Sequence, residues 1–115
     1  MTPVQIITVY KPPLINANKF LSRLQVAMKS LQQDILTLVL GDMNVDILEL
    51  PHHRIVSSME KLGFYQHVKT ATTDYGLLLD HVYINRREQV FIAVVDTYYS
   101  DHNIVCISVG LDWEQ

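Results

Sequence analysis

Three short segments of this sequence place carboxylate, amide or imidazole groups beside apolar runs. In the first, "LGDMNVD", Asp42 and Asn44 directly follow the apolar run "ILTLVL". Side chains two positions apart in an extended segment point the same way, so a carboxylate and an amide would face one point together. The alternative is that these side chains only form an Asx-type turn after Gly41.

The second segment, "LLLDHVYIN", places a carboxylate inside an apolar strand. Asp80 would share one strand face with Val82 and Ile84, and His81 and Tyr83 would share the other. A charge among apolar neighbours is costly unless it is paired, so Asp80 is expected to have a partner, and a histidine is a good candidate. The alternative is an aspartate at the strand edge that reaches water.

The third segment, "YYSDHNIV", supplies such a histidine just before an apolar run. Ser100, Asp101 and His102 cannot form a serine-protease triad among themselves, because adjacent residues point in different directions. Pairing of Asp80 with His102 across neighbouring strands would instead gather Asp101 and the polar groups of the first segment around one point.

This set of groups suits metal-assisted phosphoryl chemistry. Carboxylate and amide oxygens are hard ligands that select Mg²⁺ or Mn²⁺. The sequence has no HExxH or CxxC motif that would favour zinc, and no glycine-rich phosphate loop. His67 lies outside the pattern, and His52 and His53 are interpreted as surface residues where a helix begins.

The elements that must position these segments follow from the apolar pattern. "VQIITVY" is a β-rich run that stops before two prolines, and "ILTLVL" is typical of a strand buried on both faces. A helix around His52 to Leu62 is predicted to end at Gly63, and "LLLDHVYI", "VFIAVV" and "IVCISV" are three more strand candidates. A first helix is predicted from residues at helical spacing, which are Phe20, Leu24, Met28 and Leu31.

This order predicts an α/β fold in which a mixed sheet carries helices on one face. No further helices remain to cover the second face, so that face is expected to be exposed. The single cysteine, Cys106, is interpreted as a core thiol. It excludes a disulfide framework and favours a reducing compartment, so an intracellular location, cytoplasmic or nuclear, is expected.

Length and composition indicate one globular domain over residues 1–115, with 49% apolar and 18% charged residues. There is no signal-peptide pattern and no apolar stretch of membrane-spanning length. The net charge of −3 is uneven, because residues 1–33 contain four basic residues and no acidic one. That basic third could meet a phosphate backbone, or it could simply be a solvated helix face.

Taken in order, four motifs resemble the endonuclease/exonuclease/phosphatase superfamily. The motifs are "VYKPP" at Tyr10, "GDMN" at Asp42, "LLLDHVYI" at Asp80 and "SDH" at Ser100 to His102. This superfamily includes DNase I-like nucleases, abasic-site endonucleases, sphingomyelinases, inositol-polyphosphate phosphatases and retroelement endonucleases. "VYKPP" and "LLLDHVYIN" look most like the endonuclease-like domains of transposable elements.

The resemblance covers the whole chain but only the C-terminal half of the family domain. That domain packs two sheets face to face with helices outside, so the chain would be half of a four-layer α/β sandwich. The missing N-terminal half-domain, or self-association through the exposed sheet face, is the expected protein partner. Nucleic acid is the expected partner of the parent domain, and no membrane partner is expected.

The resemblance also implies catalytic roles at the phosphate. His102 would hydrogen-bond the scissile phosphate, Asp80 would hold its tautomer, and Tyr10 would reach the phosphate from the first strand. Asp42 would position or deprotonate the attacking water. The chemistry would be Mg²⁺- or Mn²⁺-dependent hydrolysis of a phosphodiester.

Two further roles complete the implied site. Asn44 would hydrogen-bond the phosphate or the water, and Asp101 would lie near the metal as a direct or water-mediated ligand. The family's principal metal ligand, a glutamate of the first half, has no counterpart in residues 1–10, and the first acidic residue is Asp34. The isolated chain is therefore expected to have little activity.

Three alternatives to a nuclease remain open at this stage. The chain could be a catalytically inactive interaction module, a truncated transposon-derived product, or a relative of lipid and inositol phosphatases.

Overall fold

A computed structural model describes residues 3–86 and 90–110 as two helices and six strands. Neither helix in these two ranges is long and apolar enough to cross a membrane. The elements in chain order are β1 (Val4–Tyr10), α1 (Ala17–Met28), β2 (Leu36–Asp42), α2 (Arg54–Lys61), β3 (Tyr65–Gln66), β4 (Asp80–Ile84), β5 (Val90–Val95) and β6 (Ile104–Val109).

Four strands form one mixed sheet in the order β1-β2-β4-β3. β1 and β2 are parallel and are connected through α1, whereas β4 is antiparallel to both β2 and β3. The apolar start of β2 is buried from Leu36 to Val39, as expected of a central strand covered on both faces. The mixed sheet predicted from the sequence is therefore confirmed.

Both helices pack on one face of this sheet, which confirms the predicted arrangement. The side chain of Asn16 caps α1 by accepting a hydrogen bond from the main chain of Lys19. His53 caps α2 in the same way, and Gly63 follows the helix with a φ of 84°. Helical spacing predicts that Leu31 belongs to the first helix, but α1 ends at Met28 and Leu31 lies beyond it. The core beneath the helices consists of Leu21, Leu24, Val39, Met43, Ile55, Met59, Phe64 and Tyr83.

The opposite face of the mixed sheet is covered by a hairpin of β5 and β6, which form a separate two-stranded sheet. Its inner face packs on a second core that includes Leu38, Val82 and Ile84. The inner-face residues are Val90, Ile92, Val94, Val105, Ile107 and Val109. The expectation of an uncovered second face is therefore wrong beneath the hairpin. Cover is incomplete over β1, where Ile6 is 60% exposed.

The outer face of the hairpin is apolar and open to solvent. Phe91, Val95 and Ile104 are all exposed there, and so is Cys106. The interpretation of Cys106 as a core thiol is wrong. Strand alternation places it on the outer face, because its neighbours Val105 and Ile107 point inward.

Gly41 allows β1 and β2 to pair closely just before the first acidic residue of the site. Its φ is 145°, and a Cβ atom there would overlap the carbonyl oxygen of Val9 on β1. A side chain at this position would push the strands apart beside Asp42.

Candidate functional site

Three side chains of the candidate site lie in one row across the mixed sheet. Tyr10 of β1 is in register with Asp42 of β2, and Asp42 is in register with Asp80 of β4. Strand alternation puts them on the same face as Leu40 and Val82, which belong to the core beneath the hairpin. The row therefore lies at one end of the sheet face that the hairpin covers.

His102 reaches this row from the loop between β5 and β6. Its Nδ1 atom lies 2.8 Å from Oδ2 of Asp80, and its Nε2 atom lies 3.6 Å from Oδ2 of Asp42. The predicted pairing of Asp80 with His102 is confirmed, as is the placement of Asp42 beside the pair. The three side chains are between 20% and 33% exposed, so the cluster is sheltered but open to a solute.

The carboxylates favour a protonated His102. An ionised Asp80 can only accept, so Nδ1–H of the imidazole donates to it and Nε2 faces Asp42. Burial lowers the pKa of His102, but the hydrogen bond and charge of Asp80, with the charges of Asp42 and Asp101, raise that pKa overall. The site therefore keeps an imidazolium to a higher pH than an exposed histidine would.

The pKa of Asp42 is also raised. Burial is the largest cause and the charge of Asp80 adds to it, against the main-chain hydrogen bond of Asn44 and the charges of His102 and Lys11. A carboxylate with a raised pKa is a stronger base than an exposed one. Asp42 is thus suited to take a proton at the site.

The turn after β2 ties Asp42 and Asn44 to β1. The main-chain N–H of Asn44 donates to Oδ1 of Asp42 at 3.0 Å, which is the Asx-type turn considered above. Asn44 has a φ of 50°, and its side-chain nitrogen donates to the carbonyl of Lys11 at 2.7 Å. The turn leaves Oδ2 of Asp42 facing His102, so the same residue supports the turn and belongs to the cluster.

The loop that carries His102 is fixed by its own hydroxyl groups. The N–H of His102 donates to Oγ of Ser100 at 3.2 Å, and the hydroxyl of Thr97 donates to the carbonyl of His102 at 3.1 Å. Ser100 therefore shapes the loop. The "SDH" segment is a polar turn that presents its histidine to the carboxylates.

The positions of Asp101 and Tyr10 leave their implied roles as predictions. Asp101 is exposed, and although its charge helps to raise the pKa of His102, it lies outside the group of side chains with ligand atoms within 4.8 Å. Tyr10 is 64% exposed at the edge of the row.

Two residues near the site have roles that the sequence did not indicate. Lys11 is only 4% exposed, and its ammonium lies 3.4 Å from the carbonyl oxygen of Pro12. Its charge acts to lower the pKa of both Asp42 and His53. Its position after a β-strand and before two prolines gave no indication of burial.

His81 is the second. It is fully buried, its Nε2 lies 2.9 Å from the carbonyl oxygen of Val45, and its Nδ1 lies 2.9 Å from the hydroxyl of Tyr83. Burial lowers the pKa of His81 to about 4 and raises that of Tyr83. A neutral His81 can donate to Val45 and accept from Tyr83 at once, so it clamps the turn that follows β2. The predicted opposite facing of Asp80 and His81 is confirmed.

The three clustered side chains could hold a cation, since ligand atoms of Asp42, Asp80 and His102 lie within 4.8 Å of one another. Their chemistry fits Mg²⁺ only in part. Oδ2 of Asp80 already accepts from His102, which leaves Oδ1 for a cation, and a protonated imidazole cannot be a ligand. Mg²⁺ requires near-octahedral oxygen ligation. Within residues 3–86 and 90–110 this cluster therefore does not complete a magnesium site.

Comparisons of the chain with protein-family models, with curated proteins and with solved structures find no match. Functional inference therefore depends on the residues and on their geometry.

Proposed function

We propose that this chain is the C-terminal part of a metal-dependent phosphodiester hydrolase domain of the endonuclease/exonuclease/phosphatase type, with nucleic acid as substrate. One observation carries the proposal. Residues from three separate segments meet so that His102 is hydrogen-bonded to Asp80 at 2.8 Å and its other ring nitrogen lies near Asp42. The order of the motifs along the chain supports the same function.

In this mechanism the imidazolium of His102 binds the phosphate. Asp80 accepts from Nδ1–H and so keeps Nε2–H on the side of Asp42, where a non-bridging phosphate oxygen would accept it. The positive charge offsets the charge that builds on that oxygen as the attacking water bonds to phosphorus. Asp80 thereby acts through His102.

Asp42 acts on the attacking water. Its raised pKa suits it to accept a proton as the new bond from water oxygen to phosphorus forms and the bond to the leaving oxygen breaks. The hydroxyl of Tyr10, which is exposed at the end of the same row, would donate to a second phosphate oxygen.

The incomplete set of oxygen ligands has a consequence for activity. Among the residues that the structure describes, the cluster lacks a further carboxylate that would hold Mg²⁺ or Mn²⁺ firmly. The chain on its own is therefore expected to have negligible metal-dependent nuclease activity. The same observation favours a second candidate function, a phosphate-binding interaction module that does not catalyse hydrolysis.

Binding of a phosphodiester tests the proposal without requiring turnover. A dithymidine phosphodiester is titrated into the ¹⁵N-labelled chain while the ring nitrogens of His102 are followed by NMR. We expect saturable shifts at Nε2, and Asp80→Asn should weaken binding about tenfold, because it removes a charge-assisted hydrogen bond.

His53→Gln is the matched control, since His53 lies outside the cluster and caps α2. It should bind the dinucleotide like the wild type. Equal affinity in the wild type, Asp80→Asn and His102→Ala would contradict the proposal. Inositol phosphate in place of the dinucleotide separates a nuclease-like site from a phosphatase-like one.

Plasmid nicking separates the two candidate functions. In an assembly that cleaves DNA, His102→Ala or Asp42→Asn should lower the rate at least about a hundredfold. Strong EDTA-sensitive cleavage by residues 1–115, lost in His102→Ala, would instead contradict the expected inactivity of this chain.

A further inference from the structure

Thr72 connects the two halves of the Asp80–His102 pair, although it belongs to neither strand. Its side chain and main chain are completely buried in the segment before β4. Its hydroxyl oxygen accepts hydrogen bonds from the main-chain N–H groups of Leu79 and Asp80, both at 3.1 Å. The hydroxyl therefore fixes the backbone from which the Asp80 carboxylate projects.

The main chain of Thr72 is bonded in the other direction, to the loop that carries His102. Its carbonyl oxygen accepts from the N–H of Asn103 at 2.8 Å, and its neighbour Thr73 forms an isolated β-bridge with His102. One residue further on, the N–H of Asp74 donates to the carbonyl of Asp101 at 2.9 Å. Three consecutive residues thus hold the loop on both sides of the histidine.

We infer that Thr72 is a positioning residue of the proposed phosphodiester site, which sets the distance between Asp80 and His102 through its hydroxyl and its carbonyl. Only the identity of the ligand, a phosphodiester, rests on the proposed function. The Asp80–His102 hydrogen bond itself can be observed directly, whatever the site binds. Thr72 acts through the pair and touches no reacting atom.

A purely structural role is the competing explanation, because a buried threonine also fills space. Thr72→Val keeps the shape and removes the hydroxyl, whereas Thr72→Ser keeps the hydroxyl and removes a methyl group. Thr37→Val is the matched control. Thr37 is 2% exposed, its hydroxyl bonds the carbonyl of Ile35 and the side chain of Gln5, and it lies at the opposite end of β2.

The measurement is the solvent-exchange rate of the His102 Nδ1 proton, which is shared with Asp80 and is assigned by its absence in His102→Gln. Loss of the hydroxyl removes the acceptor of two part-buried N–H groups, so Thr72→Val should accelerate this exchange about tenfold. Thr72→Ser should stay within about a factor of two of the wild type. Thr37→Val should leave the exchange rate unchanged although it loses stability.

An unchanged exchange rate in folded Thr72→Val, or an equal acceleration in Thr37→Val, would overturn the inference. If Thr72→Val does not fold, the wild-type chain still decides. The amides of Asp80 and Asn103 should be protected from hydrogen exchange to the same degree, because both bond to Thr72. Protection of Asp80 with free exchange of Asn103 would overturn the inference. Failure to bind the dinucleotide would refute the proposed function alone.

Discussion

Mild acid should destabilise this protein through His81. His81 is fully buried and uses both ring nitrogens, so protonation would remove its ability to accept from Tyr83 and would bury a charge. The pKa of His81 is about 4 in the folded state against 6.5 for an exposed histidine. The unfolded chain therefore binds a proton first as the pH falls.

The magnitude follows from these two pKa values. The stability that neutral His81 contributes is complete above pH 6.5 and is lost as the pH falls towards 4. The difference of about 2.5 pKa units corresponds to a total loss of roughly 3 kcal/mol. Between pH 7.5 and pH 5 the loss is about 2 kcal/mol, a large part of the 5–15 kcal/mol that stabilises a typical domain.

Urea unfolding at pH 7.5, 6.5, 5.5 and 5.0 measures the effect. Wild type is compared with His81→Gln, whose amide can still donate to Val45 and accept from Tyr83 but cannot titrate. The free energy of unfolding of the wild type should fall about 2 kcal/mol further than that of the variant over this range. His102 works in the opposite direction, since its raised pKa gives stability that is present at low pH and is lost as the pH rises through that pKa. The free energy of unfolding of His102→Gln should therefore fall more steeply with decreasing pH than that of the wild type. Parallel profiles of wild type and His81→Gln would refute the reasoning.

Three other predictions concern single positions. Gly41→Ala should destabilise the protein by roughly 3 kcal/mol in urea unfolding, because its Cβ would overlap the Val9 carbonyl; an unchanged midpoint would contradict this. Native Cys106 should react with a thiol reagent as fast as a free thiol, since it is exposed; reaction only at the rate of unfolding would place it in the core instead. Phe91→Asp should reduce self-association in sedimentation velocity experiments, because Phe91 lies on the apolar outer face of the hairpin. Leu14→Asp, at an exposed loop position, should not, and equal effects would argue against that face.

Much of the fold could be predicted because the apolar runs are long and well separated. "VQIITVY" is β1 to the residue, and the β-α-β-α order places both helices on one face as expected. The pairing of Asp80 with His102 was predictable for a different reason. A carboxylate within an apolar strand needs a partner, and His102 precedes another strand.

Other features of the structure could not be predicted, because no pattern in the sequence indicates them. "IVCISV" is apolar on both faces, so its alternation does not indicate which side is buried, and Cys106 was assigned to the wrong one. Nor does a run of strands specify which of them share a sheet, so the separate hairpin was missed. Thr72 and His81 form hydrogen bonds with main-chain groups of residues elsewhere in the chain. Nearly every residue type carries the same main-chain groups, so the sequence does not reveal these partners.

The second core and the candidate site both depend on one stretch of chain, the hairpin of β5 and β6. The same two strands cover the second core with their inner face and bring His102 to the carboxylates through the loop that joins them. A frameshift or an early stop codon before residue 90 would remove the histidine and expose Val82 and Ile84 together. Loss of the histidine by truncation would therefore also cost the burial of these core residues. A point substitution at His102, by contrast, would remove the imidazole and leave the inner face of the hairpin on the second core.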